Sequence, residues 1–155
     1  MTKQLNTARR FITKGLLLAA LPLLITGCAM TKLQSSLTPG AKFDELGKTF
    51  VAHFEPDKRD LHSIIADKLT LMGHPATAGE KSDMPDDIDT LVTYKDHWMW
   101  DITNYMIRLN IQFRNGKSNE LIITGESYRT SLARKSPAEM IEETLVEILK
   151  KRGKK

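Results

Sequence analysis

Apolar positions recur at two spacings along this chain, after one uninterrupted run at 15–25. Alternation starts at 49–54, with Phe50, Ala52 and Phe54 on one side and Thr49, Val51 and His53 on the other, until Pro56 ends it. That pattern predicts a strand. Leu61, Ile64, Ile65, Leu69 and Met72 then fall at helical spacing, with Asp57 as a cap in front and Gly73 and Pro75 behind, and predict a helix. Residues 76–87 carry Gly, Pro and acids without a period and read as a loop or at most a short strand. Further strands are expected over 88–94, over 98–113 and over 120–128, the last two joined through Asn115-Gly116, a pair that closes tight hairpins. Ser136, Pro137 and Glu139 supply a cap, a first-turn proline and a capping box, and Met140, Ile141, Thr144, Leu145 and Ile148 form the apolar stripe of a second helix. The order strand-helix-strand-strand-strand-helix predicts a single α+β domain over 47–152, an antiparallel-rich sheet of about four strands with two helices on one face.

One stretch breaks the pattern. Tyr105, Ile107, Leu109, Ile111 and Phe113 share one side of the third strand, and Met106, Arg108, Asn110 and Gln112 share the other. Trp98, Trp100 and Ile102 fall on the wrong side to continue the apolar face. Either a bulge near Thr103 and Asn104 restores the phase and both indoles enter the core, or the indoles form an exposed contact surface.

The run at 15–25 follows Lys3, Arg9, Arg10 and Lys14 and is shorter than the roughly 18 apolar residues of a membrane span, which is the form of a secretory signal. Its ending, "LITGC", resembles the lipobox of bacterial lipoproteins. That resemblance implies a signal peptide over 1–27, acylation of Cys28, a flexible tether over 28–46 and a membrane contact through the acyl chains. Ala29, in place of an aspartate, implies the outer membrane, with the domain facing the periplasm. The other reading of the same leader is cleavage elsewhere, which would leave Cys28 as an unpaired thiol.

The chain has 23 Lys+Arg against 19 Asp+Glu, but four of the basic residues precede Cys28, so the part from Cys28 onward carries 19 of each. Five of those cations, Lys150, Lys151, Arg152, Lys154 and Lys155, crowd the last six positions, and 153–155 read as the end of a basic tail. Such a tail suits anionic lipid or lipopolysaccharide phosphates, or simply a solvated helix end. Nucleic acid is not expected as a partner in that compartment.

Enzymatic constellations do not assemble along the chain. His53, His62, His74 and His97 stand at least nine residues apart, the single cysteine is taken by acylation, and "GESYR" around Ser127 lacks the second glycine of a nucleophile elbow. Asp83, Asp86, Asp87 and Asp89 lack the glycine and terminal glutamate of a calcium loop. No catalytic residue, metal set or cofactor is therefore expected. The polar and aromatic candidates for binding are Tyr94, Asp96, Trp98, Trp100, Asp101 and Tyr105. Together with the amphipathic strand and "GESYRTSLARKSPAEMIEETL" that follow, they resemble a group of small uncharacterised proteobacterial periplasmic lipoproteins. The order of elements is similar to that of the lipopolysaccharide-assembly lipoprotein. The function expected is an interaction module or accessory factor of a cell-envelope assembly with an envelope protein partner, and the alternative is a carrier of an amphipathic lipid or glycan.

Overall fold

The computed structural model describes residues 30–153; the signal read over 1–27, Cys28, Lys154 and Lys155 lie outside the described residues. The chain forms one α+β domain, a six-stranded mixed sheet with two helices. The strands are β1 (Thr31–Leu37), β2 (Thr49–Ala52), β3 (Ala76–Gly79), β4 (Thr90–Trp100), β5 (Asn104–Asn115) and β6 (Leu121–Arg129), and the helices are α1 (Leu61–Leu71) and α2 (Pro137–Leu149). Their order across the sheet is β1-β6-β5-β4-β2-β3. β2 runs parallel to both β3 and β4, and the remaining pairs are antiparallel.

Two of these strands differ from the expectation of four. Part of the stretch read as a tether, Thr31–Leu37, is an edge strand paired with β6 along its whole length. Most of its residues are exposed and only Ser35 and Leu37 are part-covered, Ser35 bonding Glu147 of α2 and Leu37 packing against the core, so backbone pairing rather than apolar patterning holds most of the strand. β3 lies in the stretch read as a loop or at most a short strand; its sequence, Ala-Thr-Ala-Gly, has no large apolar side chain to mark a period. Phe43 and Leu46, also in the tether range, are buried.

The helices cover one face of the sheet. Val51, Val92, Leu109, Ile111, Phe113 and Ile123 meet Leu61, Ile65, Leu69, Ile141, Leu145 and Ile148 there, all fully buried. The capping box of α2 forms as expected, with Ser136 and Glu139 exchanging side-chain bonds to each other's backbone N–H. At the other helix, Gly73 adopts φ 86° and its N–H and that of His74 reach back to Thr70 and Leu69, a Schellman ending.

The aromatic stretch folds differently from the expected single strand over 98–113. Both tryptophans belong to β4, and the chain reverses at 101–103 into β5. Asp101 makes that reversal: its Oδ1 accepts from the backbone N–H of Ile102 and Thr103, the turn a short polar side chain supports without glycine. A bulge is present, but at Ile107 and not near Thr103 and Asn104. His97 pairs with Arg108 and Trp98 with Met106, so Ile107 is the extra residue, and Met106 rather than Ile107 or Tyr105 enters the core.

The Asn115-Gly116 hairpin is wider than the two-residue turn expected. Asn115 N–H bonds Glu120 and the left-handed residue is Asn119, at φ 60°. Gly116 is needed instead for close approach, because a Cβ there would stand 2.3 Å from the carbonyl oxygen of Ile88. Gly116→Ala is expected to cost about 2 kcal/mol, since backbone on backbone leaves little room to yield. A urea midpoint unchanged from wild type would show that the 80–89 loop moves aside at no cost.

The sheet has two distinct ends. The β4–β5 reversal, the start of β1 at Thr31 and the end of β6 at Arg129 share one end. Lys150, Lys151 and Arg152 lie at the other, where the N–H of Gly153 bonds the carbonyl of Phe43 and Arg152 reaches His74.

Candidate functional site

Two groups of polar and aromatic side chains flank β4. The first is buried and grows from the connection between β2 and α1. Asp57, 3% exposed, accepts hydrogen bonds from the backbone N–H of Arg59 (2.8 Å) and Leu61 (2.7 Å) and from the hydroxyl of Tyr94 (2.7 Å). It therefore serves the start of α1 as the sequence suggested, although the residue at the formal cap is Asp60, whose φ of 55° lets the chain enter the helix without a side-chain bond of its own. Burial opposes charge on Asp57, but the Tyr94 hydroxyl and the two N–H donors outweigh it and hold the carboxyl below its ordinary range. For Tyr94, burial and then the Asp57 carboxylate push the phenol well above its usual value. Proton sharing between them is thus fixed, with the proton on the tyrosine.

Two histidines border Asp57. His53 Nδ1 lies 2.7 Å from Glu80 Oε1, and its Nε2 lies 3.1 Å from the Asp57 carbonyl oxygen. Burial lowers the affinity of His53 for a proton; its bonds to Asp57 and Glu80 raise it further, so it titrates above the usual histidine value. The His62 ring packs on His53 at 4.6 Å between centroids. Its Nδ1 is buried without a hydrogen-bond partner. The nine-residue separation that made these histidines look independent is the span from the end of β2 to the first turn of α1, which the parallel β2-α1-β3 connection folds back on itself.

The second group caps the end of the sheet. Trp98 is half-buried against the core, its Nε1 donates to Asp96, and the Arg59 guanidinium lies over its ring at 3.8 Å. Arg134 clasps the reversal: it lies over the Tyr105 ring at 3.8 Å, pairs with Asp101 and reaches Thr103 Oγ1 at 3.3 Å. Bonds to the turn N–H groups, with Arg134 adding to them, hold the Asp101 carboxyl below its ordinary range. Beyond this clasp Trp100 is 72% exposed, Ile102 93% and Leu132 76%.

The six candidates are therefore divided between two places. Tyr94 belongs to the buried group, Asp96 and Trp98 lie between, and Trp100, Asp101 and Tyr105 form the tip. The two tryptophans have different roles, one half-buried and one exposed, although both keep the same side of β4 as Val92 and Tyr94. Trp100 simply lies past the last covering side chain. Sequence reasoning did not select His53, His62, Asp57, Glu80, Arg59 or Arg134 as members of one site; only the positions of Asp57 and His53 at the ends of predicted elements pointed there.

No protein-family model matches the chain, and no curated protein matches it. Two solved structures of the PelC dodecamer from Paraburkholderia phytofirmans are similar in fold, each with a TM-score of 0.57 and 12% identity. They cover 76% and 77% of this chain and 97% and 98% of their own. TolB from Acinetobacter baumannii aligns over 75% of this chain and 29% of its own at 15% identity, with a TM-score of 0.38.

Proposed function

We propose that the chain is a non-enzymatic lipoprotein of the bacterial outer membrane, anchored through acylated Cys28 with its domain in the periplasm, and that it is an interaction module of a cell-envelope assembly. The observation that carries this reading is the tip of the β4–β5 hairpin, where Trp100 and Ile102 project into solvent from a turn that Arg134 and Asp101 hold rigid, with Leu132 exposed in the segment that carries Arg134. An exposed indole beside aliphatic side chains is the composition of an interface anchor, and a turn already fixed loses little freedom on docking. The strand leading back toward Cys28 begins at the same end. The partner is accordingly an envelope protein that offers an apolar groove near the membrane surface. The carrier alternative draws less support, because fully buried side chains fill the layer between helices and sheet. An amphipathic guest would have to take a surface cleft such as the 530 Å³ one between Thr49, Pro75, Ala76, Pro85 and Ile88.

Combining Trp100→Ala with Ile102→Ser changes only exposed positions and is expected to leave stability within about 0.5 kcal/mol of wild type. The variant should lose a stoichiometric protein partner that crosslinking captures from the cell's own membranes with the wild-type chain. Undiminished capture would remove the tip from consideration. A Cys28→Ser chain that floats with lipid vesicles only when Trp100 is present would make the tip a lipid contact. Because the PelC structures are dodecamers, the mass of the purified chain is measured alongside, and an oligomer dependent on Trp100 would make the partner a second copy of this chain.

A further inference from the structure

We propose that His53, Asp57 and His62 form a binding site for a divalent transition-metal ion of the zinc class, with Glu80 orienting His53. One ligand atom from each of the three residues lies within 4.8 Å of the others. A tetrahedral zinc ion holds its ligand atoms roughly 3.3 Å apart, so small side-chain rotations close the set.

Each of the three residues has an electron pair that lacks a donor. A neutral imidazole has one donor and one lone pair, yet both ring nitrogens of His53 face oxygen acceptors, Glu80 Oε1 at 2.7 Å and the Asp57 carbonyl at 3.1 Å. Nδ1 of His62 is buried with nothing to bond. On Asp57, Oδ2 accepts from both Leu61 and Tyr94 while Oδ1 accepts from Arg59 alone, which leaves Oδ1 room for a further bond. A cation among them satisfies all three positions. The donor set decides its class: two imidazoles and one carboxylate suit zinc, copper or nickel, whereas calcium and magnesium need oxygen ligands throughout. The carboxylate of Glu80 on Nδ1 of His53 completes a familiar arrangement, in which an acid fixes the tautomer and leaves Nε2 to ligate. The fourth position of a tetrahedral ion would be left to water or to Glu80, whose side chain is 61% exposed and free to turn.

The test is a titration of the untagged full-length chain, in detergent and freed of metal, with Zn²⁺ against a chromophoric chelator. One equivalent should bind saturably. His62→Ala should weaken binding by more than about tenfold and Glu80→Gln, at an exposed position, by about tenfold, while His97→Ala, outside the cluster, should bind as wild type. Saturating Zn²⁺ should also raise the melting temperature of the wild type and of His97→Ala but not of His62→Ala, because only a site present in the folded chain is linked to folding. Absence of saturable binding, wild-type affinity in both His62→Ala and Glu80→Gln, or an equal loss in His97→Ala would overturn the proposal. The first of these would identify His53 as an imidazolium that donates to both of its oxygens.

Discussion

Asp57→Ala is expected to lower the free energy of unfolding by about 3 kcal/mol, measured by urea denaturation with a chelator present so that no metal linkage contributes. The carboxylate is 3% exposed and is the acceptor for three donors at once: two N–H groups at the entry to α1 and the Tyr94 hydroxyl from β4. Alanine leaves all three in place, buried and without an acceptor, and each such group costs about 1–3 kcal/mol, less where water can enter. The left-handed turn at Asp60 also depends on Asp57 holding the N–H groups on either side of it. Tyr94→Phe should cost only about 1 kcal/mol, since it removes one donor and keeps the ring packed against Phe54. The double variant should be less destabilised than the two single effects added together, because both remove the same bond. An Asp57→Ala effect below 1 kcal/mol would show that α1 finds another cap.

The second large effect is expected at Glu143, on the face of α2 that meets β6. Its carboxylate accepts from Ser127 Oγ at 2.6 Å, from Arg129 and from Lys135, and it is only 12% exposed, as Arg129 is at 14%. Glu143→Gln keeps the shape but leaves Arg129 half-enclosed without a counter-charge, at a cost of about 2 kcal/mol near neutral pH. Burial opposes ionisation of Glu143, but the bonds from Arg129, Lys135 and Ser127 outweigh it and hold the carboxyl below its ordinary 4.5. The sign follows from that direction. A group with a depressed folded value contributes its full stability above the unfolded value and loses it as pH falls through the folded one. The gap in melting temperature between wild type and Glu143→Gln should therefore be constant from neutral pH down to about 5 and should shrink as the pH falls below the ordinary 4.5 and on through the lower folded value. A gap that persists in acid would mean the variant is harmed by shape rather than by charge.

What could be read from the sequence was whatever a local rule decides. The start of α2 needs only Ser136, Pro137 and Glu139 in that order, and α1, β2 and β6 each carry an apolar period long enough to see. β1 and β3 could not be found that way, because one is an edge strand held mostly by backbone bonds and the other, Ala-Thr-Ala-Gly, has no large apolar side chain and no alternation running on beyond it, unlike β2. The reversal at 101–103 contains neither glycine nor proline, so nothing separated the end of β4 from the start of β5 except a change of parity. That change is visible, but it suggests either a bulge near Thr103 and Asn104 or indoles on the outer face, whereas a turn lies there and the bulge sits at Ile107. The His53, Asp57 and His62 group escaped for a different reason: histidines nine residues apart are neighbours only once a strand and a helix have been laid side by side.

The early start of β1 also has a mechanical meaning. If Cys28 is acylated as proposed, only Ala29 and Met30 would separate the lipid from the first paired residue, a leash of at most roughly 10 Å beside a domain whose longest strand runs about 40 Å. So short a leash would keep the end of the domain where β1 starts close to the membrane surface. On that anchoring the hairpin tip would lie toward the bilayer, and Lys150, Lys151 and Arg152, at the opposite end of the sheet, would be turned away from it.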